Sequence, residues 1–180
     1  MIRAIGFLLA VIGLLVAQEL PFQVPDLKKL QKIKIAELSF AGHSVIFELY
    51  PELAPTHVAN LKWLSDNHFY KNRKIDEIRD DYAVLIGKIS KSELQFAYTL
   101  PPEFSQEEIK RGSLLMARAK DTLNPERRSH GTAILIVLKD SPHLTGNITL
   151  IGKATKGLEH LDKLLEVSSI ENLTVYVLKE

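Results

Sequence analysis

Apolar and polar residues alternate along much of the chain after residue 31, and this alternation predicts a β protein. Residues 32–40 alternate clearly, and residues 43–50 form a second run rich in β-branched and aromatic side chains. Ala41 and Gly42 lie between the two runs and predict a turn. The domain is therefore predicted to open with a β-hairpin.

Two helices interrupt the predicted strands. Apolar Val58, Leu61 and Leu64 recur every three residues, which predicts a helix with one buried face and with Thr56 as its N-cap. Further strands are predicted at residues 73–78, 82–89, 112–118, 132–138, 148–154 and 173–178, and a second helix at residues 158–166. Many short strands separated by turns predict a closed barrel or a sandwich, and two helices could plug the ends of a barrel.

The N-terminal residues have the pattern of an export signal. Arg3 supplies a positive charge, and residues 5–16 form an apolar run that is short for a bilayer span of roughly 20 residues. We expect residues 1–17 to be a signal peptide, with an uncleaved N-terminal anchor as the alternative. Residues 18–31 are predicted to be a linker and residues 32–180 the folded domain, located in the periplasm or secreted, or attached to a membrane if the signal stays.

Charge and composition exclude several classes of function. The formal net charge is +1, so no overall field gathers nucleic acid or anionic lipid. The chain contains no cysteine, which excludes disulfides and thiolate chemistry. No histidine pair shows metal-ligand spacing beside a carboxylate, and the acidic cluster of Asp76, Glu77, Asp80 and Asp81 lacks the loop glycine of a calcium site. We predict no metal and no cofactor.

Four stretches resemble cyclophilins, a family of peptidyl-prolyl isomerases. They are ELYPELAPTHVANLKWL at 48–64, YTLPPEF at 98–104, RGSLLMARA at 111–119 and LKDSPHLTGNITLIGKATKGLEHLDKL at 138–164. The similarity extends over residues 33–178 in the family's order. It implies a closed eight-stranded antiparallel β-barrel capped by two α-helices, a role in protein folding, and proline-containing peptide segments or exported proteins as partners. A monomer is expected.

The resemblance also shows where this chain departs from its family. The family's Phe-His-Arg run falls on Ile75, Asp76 and Glu77, so a carboxylate stands where an arginine donates to the prolyl nitrogen. Because an ionised carboxylate only accepts hydrogen bonds, weak or lost isomerase activity is expected. A shift of two residues in the alignment would instead bring Arg79 to that position.

The family's peptide groove is implied at further positions, most of which have lost their polar or aromatic character. The implied groove residues are Ala83, Leu85, Met116, Ala117, Arg118, Ala133, Leu135, His143 and Leu144. They retain an apolar floor that could accept a small apolar side chain or a proline. A non-catalytic module that binds an extended peptide is therefore the alternative function, and a purely structural barrel is the third.

Overall fold

The computed structural model of this protein describes residues 19–79 and 82–178. The strands in these residues are β1 Ile35–Phe40, β2 His43–Leu49, β3 Ile75–Arg79, β4 Ala83–Ile86, β5 Thr99–Leu100, β6 Ser113–Met116, β7 Ser129–His130, β8 Ile134–Val137, β9 Thr149–Lys156 and β10 Asn172–Tyr176. Eight of them form one antiparallel sheet in the order β10–β1–β2–β9–β6–β8–β4–β3, while β5 pairs with β7 alone. The predicted mainly-β architecture is confirmed.

The opening hairpin is built as the pattern predicts. β1 and β2 pair from Ile35 opposite Glu48 to Phe40 opposite His43. The two turn residues, Ala41 and Gly42, both have positive φ, 48° and 73°, as the tight turn of a twisted hairpin requires.

The helices differ in detail from the prediction. They are α1 Leu27–Leu30 and α2 Pro55–Asp66, with 3-10 helices at Lys91–Phe96, Pro142–Leu144 and Leu158–Leu165. The helix predicted over residues 158–166 is thus present as a 3-10 helix. The N-cap of α2 is Ala54, and Pro55 occupies the first turn, so the predicted cap at Thr56 is wrong. Proline is favoured there because the first helical N–H has no partner within the helix.

The central strands are buried on both faces. β4 (AVLI) and β8 (ILIV) are fully buried along their length, and their residues alternate between two apolar clusters. The interior cluster contains Val84, Ile86 and the buried face of α2. The second cluster lies on the opposite face of the sheet and consists of Ala83, Leu85, Ile109, Leu115, Ala117, Ala133, Leu135, Val137, Ile148 and Leu150.

The two edges of the sheet meet only at one end. Lys74 forms an isolated bridge with Ser169, and Ile75 N donates to Ser168 O at 2.9 Å. Two more backbone bonds, from Asn72 N to Glu171 O and from Ile170 N to Arg73 O, lie at the same end. Among the described residues no ladder joins β3 to β10, and a cleft of about 640 Å³ is lined by residues 74–78 and 167–169. The structure thus shows a curled eight-stranded sheet; complete closure of the predicted barrel is not seen in the strand ladder of the described residues.

The segment predicted as a linker packs on the domain over residues 19–31. The Phe22 ring lies 6.1 Å from the Trp63 ring and 6.3 Å from the Tyr98 ring, between centroids. Leu30 of α1 is buried in the interior cluster. The predicted signal or anchor, residues 1–17, lies outside the described residues; within 19–79 and 82–178 no helix is long and apolar enough to span a bilayer.

Candidate functional site

A β-bulge in β3 determines which side chains of this strand face the second cluster. Ile75 pairs with Ile86 of the interior cluster, whereas Glu77 pairs with Leu85 of the second cluster, and the register shifts between them. The Asp76 carboxylate accepts hydrogen bonds from the backbone N–H groups of Gly87 and Lys88, at 2.7 and 2.8 Å. The bulge is thereby fastened to the neighbouring strand.

Glu77 and Arg79 consequently share one face of β3. Arg79 Nε donates to Glu77 Oε1 at 3.1 Å, and Lys88 Nζ donates to Glu77 Oε2 at 2.9 Å. The hydrogen bond from Lys88 is the main cause that lowers the pKa of Glu77; burial opposes it, and the charges of Arg79 and Lys88 lower the pKa further. Glu77 is therefore an anion at neutral pH with both oxygens engaged by cations, although 40% of its side chain remains exposed.

The floor beside Glu77 is a row of four leucines that crosses four strands. Leu85 of β4 pairs with Leu135 of β8, which pairs with Leu115 of β6, which pairs with Leu150 of β9. Their exposed fractions are 1%, 2%, 0% and 3%, so all four side chains are almost completely buried within the second cluster. Ala83, Ala117 and Ala133 are also buried in the second cluster. The side chains of this floor offer no hydrogen-bonding group.

The other implied groove residues lie at the rim or on the opposite face. The His143 and Tyr82 rings are in edge contact, with centroids 6.2 Å apart, and Leu144 packs against the second cluster. Met116 is fully buried in the interior cluster, so its side chain points away from this floor. Arg118 Nε donates to Asn147 O at 2.7 Å, and its guanidinium also contacts Asp121.

Sequence reasoning missed a clamp around Phe104. The guanidinium carbons of Arg118 and Arg127 lie 6.0 and 4.8 Å from the centre of its ring. Arg127 also donates to Asn147 Oδ1 at 2.6 Å. The two arginines thus tie the loop after β6 to the loop before β9. The YTLPPEF match was the only signal, since strand periodicity says nothing about loop-to-loop contacts.

Next to Phe104, Glu103 caps α2 from a distant part of the chain. Its carboxylate accepts from the backbone N–H groups of Thr56 and His57, at 3.0 and 3.1 Å. The same carboxylate lies 2.6 Å from Nδ1 of the buried His57 ring, whose Nε2 has no hydrogen-bond partner among the described residues. Glu103 N donates in turn to Thr149 Oγ1 at 3.2 Å. The PPEF segment therefore fastens the start of α2 to the start of β9.

We expect Glu103→Gln to lower the free energy of unfolding by about 2 kcal/mol at pH 7, since it weakens charge-assisted hydrogen bonds. Burial raises the pKa of Glu103, but the bonds from His57 and Thr56 outweigh this and bring the pKa below its ordinary value of 4.5. A carboxyl with a lower pKa in the folded state stabilises the fold above the unfolded-state pKa and loses that contribution as the pH falls through the folded-state pKa.

Urea unfolding of the wild type and of Glu103→Gln between pH 7 and pH 3 measures this contribution. The difference between their free energies of unfolding should decrease toward acid pH. Glu126→Gln, which changes an exposed carboxylate, is the control and should alter stability by less than about 0.5 kcal/mol throughout. A difference between Glu103→Gln and the wild type that is constant with pH would contradict the assignment.

No metal centre accompanies these residues: within 19–79 and 82–178 no group of three or more His, Cys, Asp or Glu side chains is placed to hold an ion. Asp80 and Asp81 of the acidic turn lie outside the described residues. The site thus consists of three charged side chains, Glu77, Arg79 and Lys88, beside an apolar floor of leucines.

Comparison with known proteins assigns the family. Residues 32–177 match the family model described as cyclophilin type peptidyl-prolyl cis-trans isomerase/CLD. A probable peptidyl-prolyl cis-trans isomerase of Brucella suis biovar 1 is 30% identical over 148 residues, covering 75% of this chain and 73% of the relative. Peptidyl-prolyl cis-trans isomerase B of Bacillus subtilis is 34% identical over 128 residues, covering 66% and 80%.

Solved structures agree on the fold. A cyclophilin type peptidyl-prolyl cis-trans isomerase of Cryptosporidium parvum superposes with a TM-score of 0.69 at 18% identity, covering 82% of this chain and 99% of that one. Its structure in the presence of the dipeptide Ala-Pro gives 0.68, again at 18% identity, covering 81% and 100%. By sequence and by fold, the chain belongs to the cyclophilin-type peptidyl-prolyl cis-trans isomerase family.

Proposed function

We propose that this protein is an exported cyclophilin that binds proline-containing segments of exported proteins and isomerises them weakly or not at all. The observation that carries the proposal is the ionised Glu77, which stands where the family places its arginine and faces the leucine floor. Assistance to protein folding would then come from binding more than from rotation of the prolyl bond.

The chemistry of prolyl rotation explains why this one position matters. Rotation about the bond before proline has a barrier of about 18–20 kcal/mol, because the amide must lose its conjugation. A lone pair then develops on the prolyl nitrogen, and a catalyst must bind this twisted amide better than either planar form. A cationic N–H donor stabilises that lone pair. The Glu77 carboxylate can only accept, and it repels the same electrons.

Arg79 is the alternative donor. It lies on the same face as Glu77 but pairs with Ala83 rather than with Leu85, which places it about 6.6 Å further along β3. Its Nε is also committed to Glu77. A substrate held over the leucine floor would therefore meet Glu77 before it met the Arg79 guanidinium.

A non-catalytic peptide-binding module is the second candidate, and the leucine row favours it. In this chain Leu85 and Leu135 occupy the positions of the family's polar clamp and stacking aromatic, and both are nearly fully buried. Ala83 and Ala133 lie in the same cluster and are also buried. A peptide bound beside this cluster would find no polar side chain in it to orient the amide.

Isomerase assays on an alanine-proline tetrapeptide test the proposal, with the Bacillus subtilis relative measured in parallel. We expect a kcat/KM at least about 100-fold below that of the relative, the size of effect seen when one transition-state donor is lost. Turnover within tenfold of the relative would overturn it. Shift changes of the peptide in NMR spectra without exchange broadening would favour the binding module, and residual turnover abolished by Arg79→Ala would assign the donor to that guanidinium.

Export is proposed from the sequence pattern of residues 1–17 alone. Cleavage after Ala17 would release the domain into the periplasm or the medium, and an uncleaved run would anchor it to the membrane. The mass of the N-terminal peptide of the protein recovered from cells distinguishes the two, and recovery of the full chain from the cytosol would exclude both.

A further inference from the structure

The outer edge of β3 is paired only at its start. There, residues 168–171 run alongside residues 72–75 and are joined to them by backbone hydrogen bonds. After Ile75 this pairing ends, and in the part of the chain that the structure describes Glu77 and Ile78 pair only with β4. An antiparallel strand turns the N–H and C=O groups of alternate residues away from its partner. This edge therefore presents backbone groups that β4 does not pair.

The cleft of about 640 Å³ follows this edge and is partly apolar. Ile78 lines the cleft and is 43% exposed, although it pairs with fully buried Val84 of the interior cluster. Val167 also belongs to the lining and packs against the same interior cluster. An apolar side chain placed in this cleft would extend the interior cluster and remove Ile78 from water.

The cleft is continuous with the candidate site through Glu77. This residue lines the cleft, and it pairs with Leu85 of the second cluster, which contains the leucine floor. Ile78 follows Glu77 directly in the strand, and an extended chain advances about 3.4 Å per residue. A peptide whose prolyl bond lies beside Glu77 therefore needs only a few more residues to run along the edge of β3.

We propose that the outer edge of β3 binds the residues that flank the proline of a client protein, as an additional β-strand. The proposal rests on the function proposed above and adds to it the kind of segment that is recognised. That segment is extended and carries an apolar side chain a few residues from its proline. Backbone hydrogen bonds would supply affinity, and the cleft between Ile78 and Val167 would select the side chain.

The size of the edge favours a peptide over a second copy of this chain. The stretch from Asp76 to Arg79 measures about 13 Å, whereas a stable protein–protein interface buries about 800 Å² on each partner. Asp76, Glu77 and Arg79 also place charges along β3, and charges on an edge strand disfavour pairing between whole sheets. A single extended segment needs only the backbone groups and the cleft.

Two labelled peptides test this proposal on the full chain by fluorescence anisotropy. The shorter is the tetrapeptide Ala-Ala-Pro-Ala, and the longer carries the same four residues between Thr-Val-Thr extensions on both sides. We expect the longer peptide to bind at least about tenfold more tightly, through its additional backbone hydrogen bonds. Methylation of single amide nitrogens in the extensions should weaken binding at alternate residues only, because only these donate toward β3.

Ile78→Ser should reduce the advantage of the longer peptide by at least about threefold, since it removes an apolar wall of the cleft. Leu94→Ser is the matched control, because Leu94 is 68% exposed and lies outside the cleft lining. Extensions that add nothing to tetrapeptide binding, equal losses from every methylation, or equal effects of the two serine variants would overturn strand addition alone. Failure of both peptides to bind would overturn the proposed function, and strand addition with it.

Discussion

Replacing Glu77 by arginine is expected to raise kcat/KM for a proline tetrapeptide by about tenfold or more. The substitution puts a donor opposite Leu85, where the carboxylate now stands, and so offers the prolyl nitrogen a hydrogen bond as its conjugation breaks. Loss of a single preorganised donor commonly costs 100- to 1,000-fold, roughly. Only part of this should be recovered, because the buried leucines still leave the amide without a polar clamp.

Glu77→Met is the matched control, since it removes the charge and keeps the length without supplying a donor. It should raise turnover by less than the arginine variant does, because it removes only the repulsion of the lone pair. A methionine variant as fast as the arginine variant would show that removal of the anion, rather than arrival of a donor, limits the rate. Thermal unfolding of both variants must accompany the assay, because Arg79 and Lys88 lose their partner and the new arginine adds a third cation.

Gly152→Ala is expected to lower the free energy of unfolding by about 3 kcal/mol or more. A Cβ at Gly152 would lie 2.3 Å from Glu48 O and 3.0 Å from Leu49 Cα, both backbone atoms of the adjacent strand β2. No side chain can rotate to relieve this contact, so β2 and β9 would have to separate in the middle of the sheet. Urea unfolding measures the effect.

Gly42→Ala makes the same substitution in the hairpin turn, where the added Cβ would have no close neighbour. No atom lies within 4 Å of a Cβ at Gly42, and only its φ of +73° disfavours alanine. A cost of about 1 kcal/mol is expected there from backbone conformation alone. Equal costs at both glycines would contradict the steric explanation for Gly152.

Strand periodicity predicted the sheet well because its cause is local. Each strand predicted from the pattern is present, and the turn at Ala41 and Gly42 follows from residue types that tolerate positive φ. The prediction of the α2 N-cap was wrong because the group that caps this helix is distant in sequence. Glu103 accepts the helix N–H groups from 46 and 47 residues away, and no local pattern reports a partner at that separation.

The resemblance assigned single positions to the groove but did not state which side of a strand each side chain faces. The direct pairing of Glu77 with Leu85 is seen only in the structure, where it follows from the bulge in β3. Met116 and Ala117 were both assigned to the groove, although neighbouring residues of a strand face opposite sides, and the structure buries Met116 in the interior cluster. The four-leucine row depends on pairings across four strands and has no signature within any one of them.

The packing of the Phe22 ring against the Trp63 ring limits the distance between the domain and the apolar run at residues 5–16. Six peptide units separate Val16 from Phe22, so the connection can span at most about 20 Å when it is fully extended. If that run stays in a membrane, the domain remains within that distance of the membrane surface. Its clients would then be segments that emerge beside it during translocation, not finished proteins diffusing past.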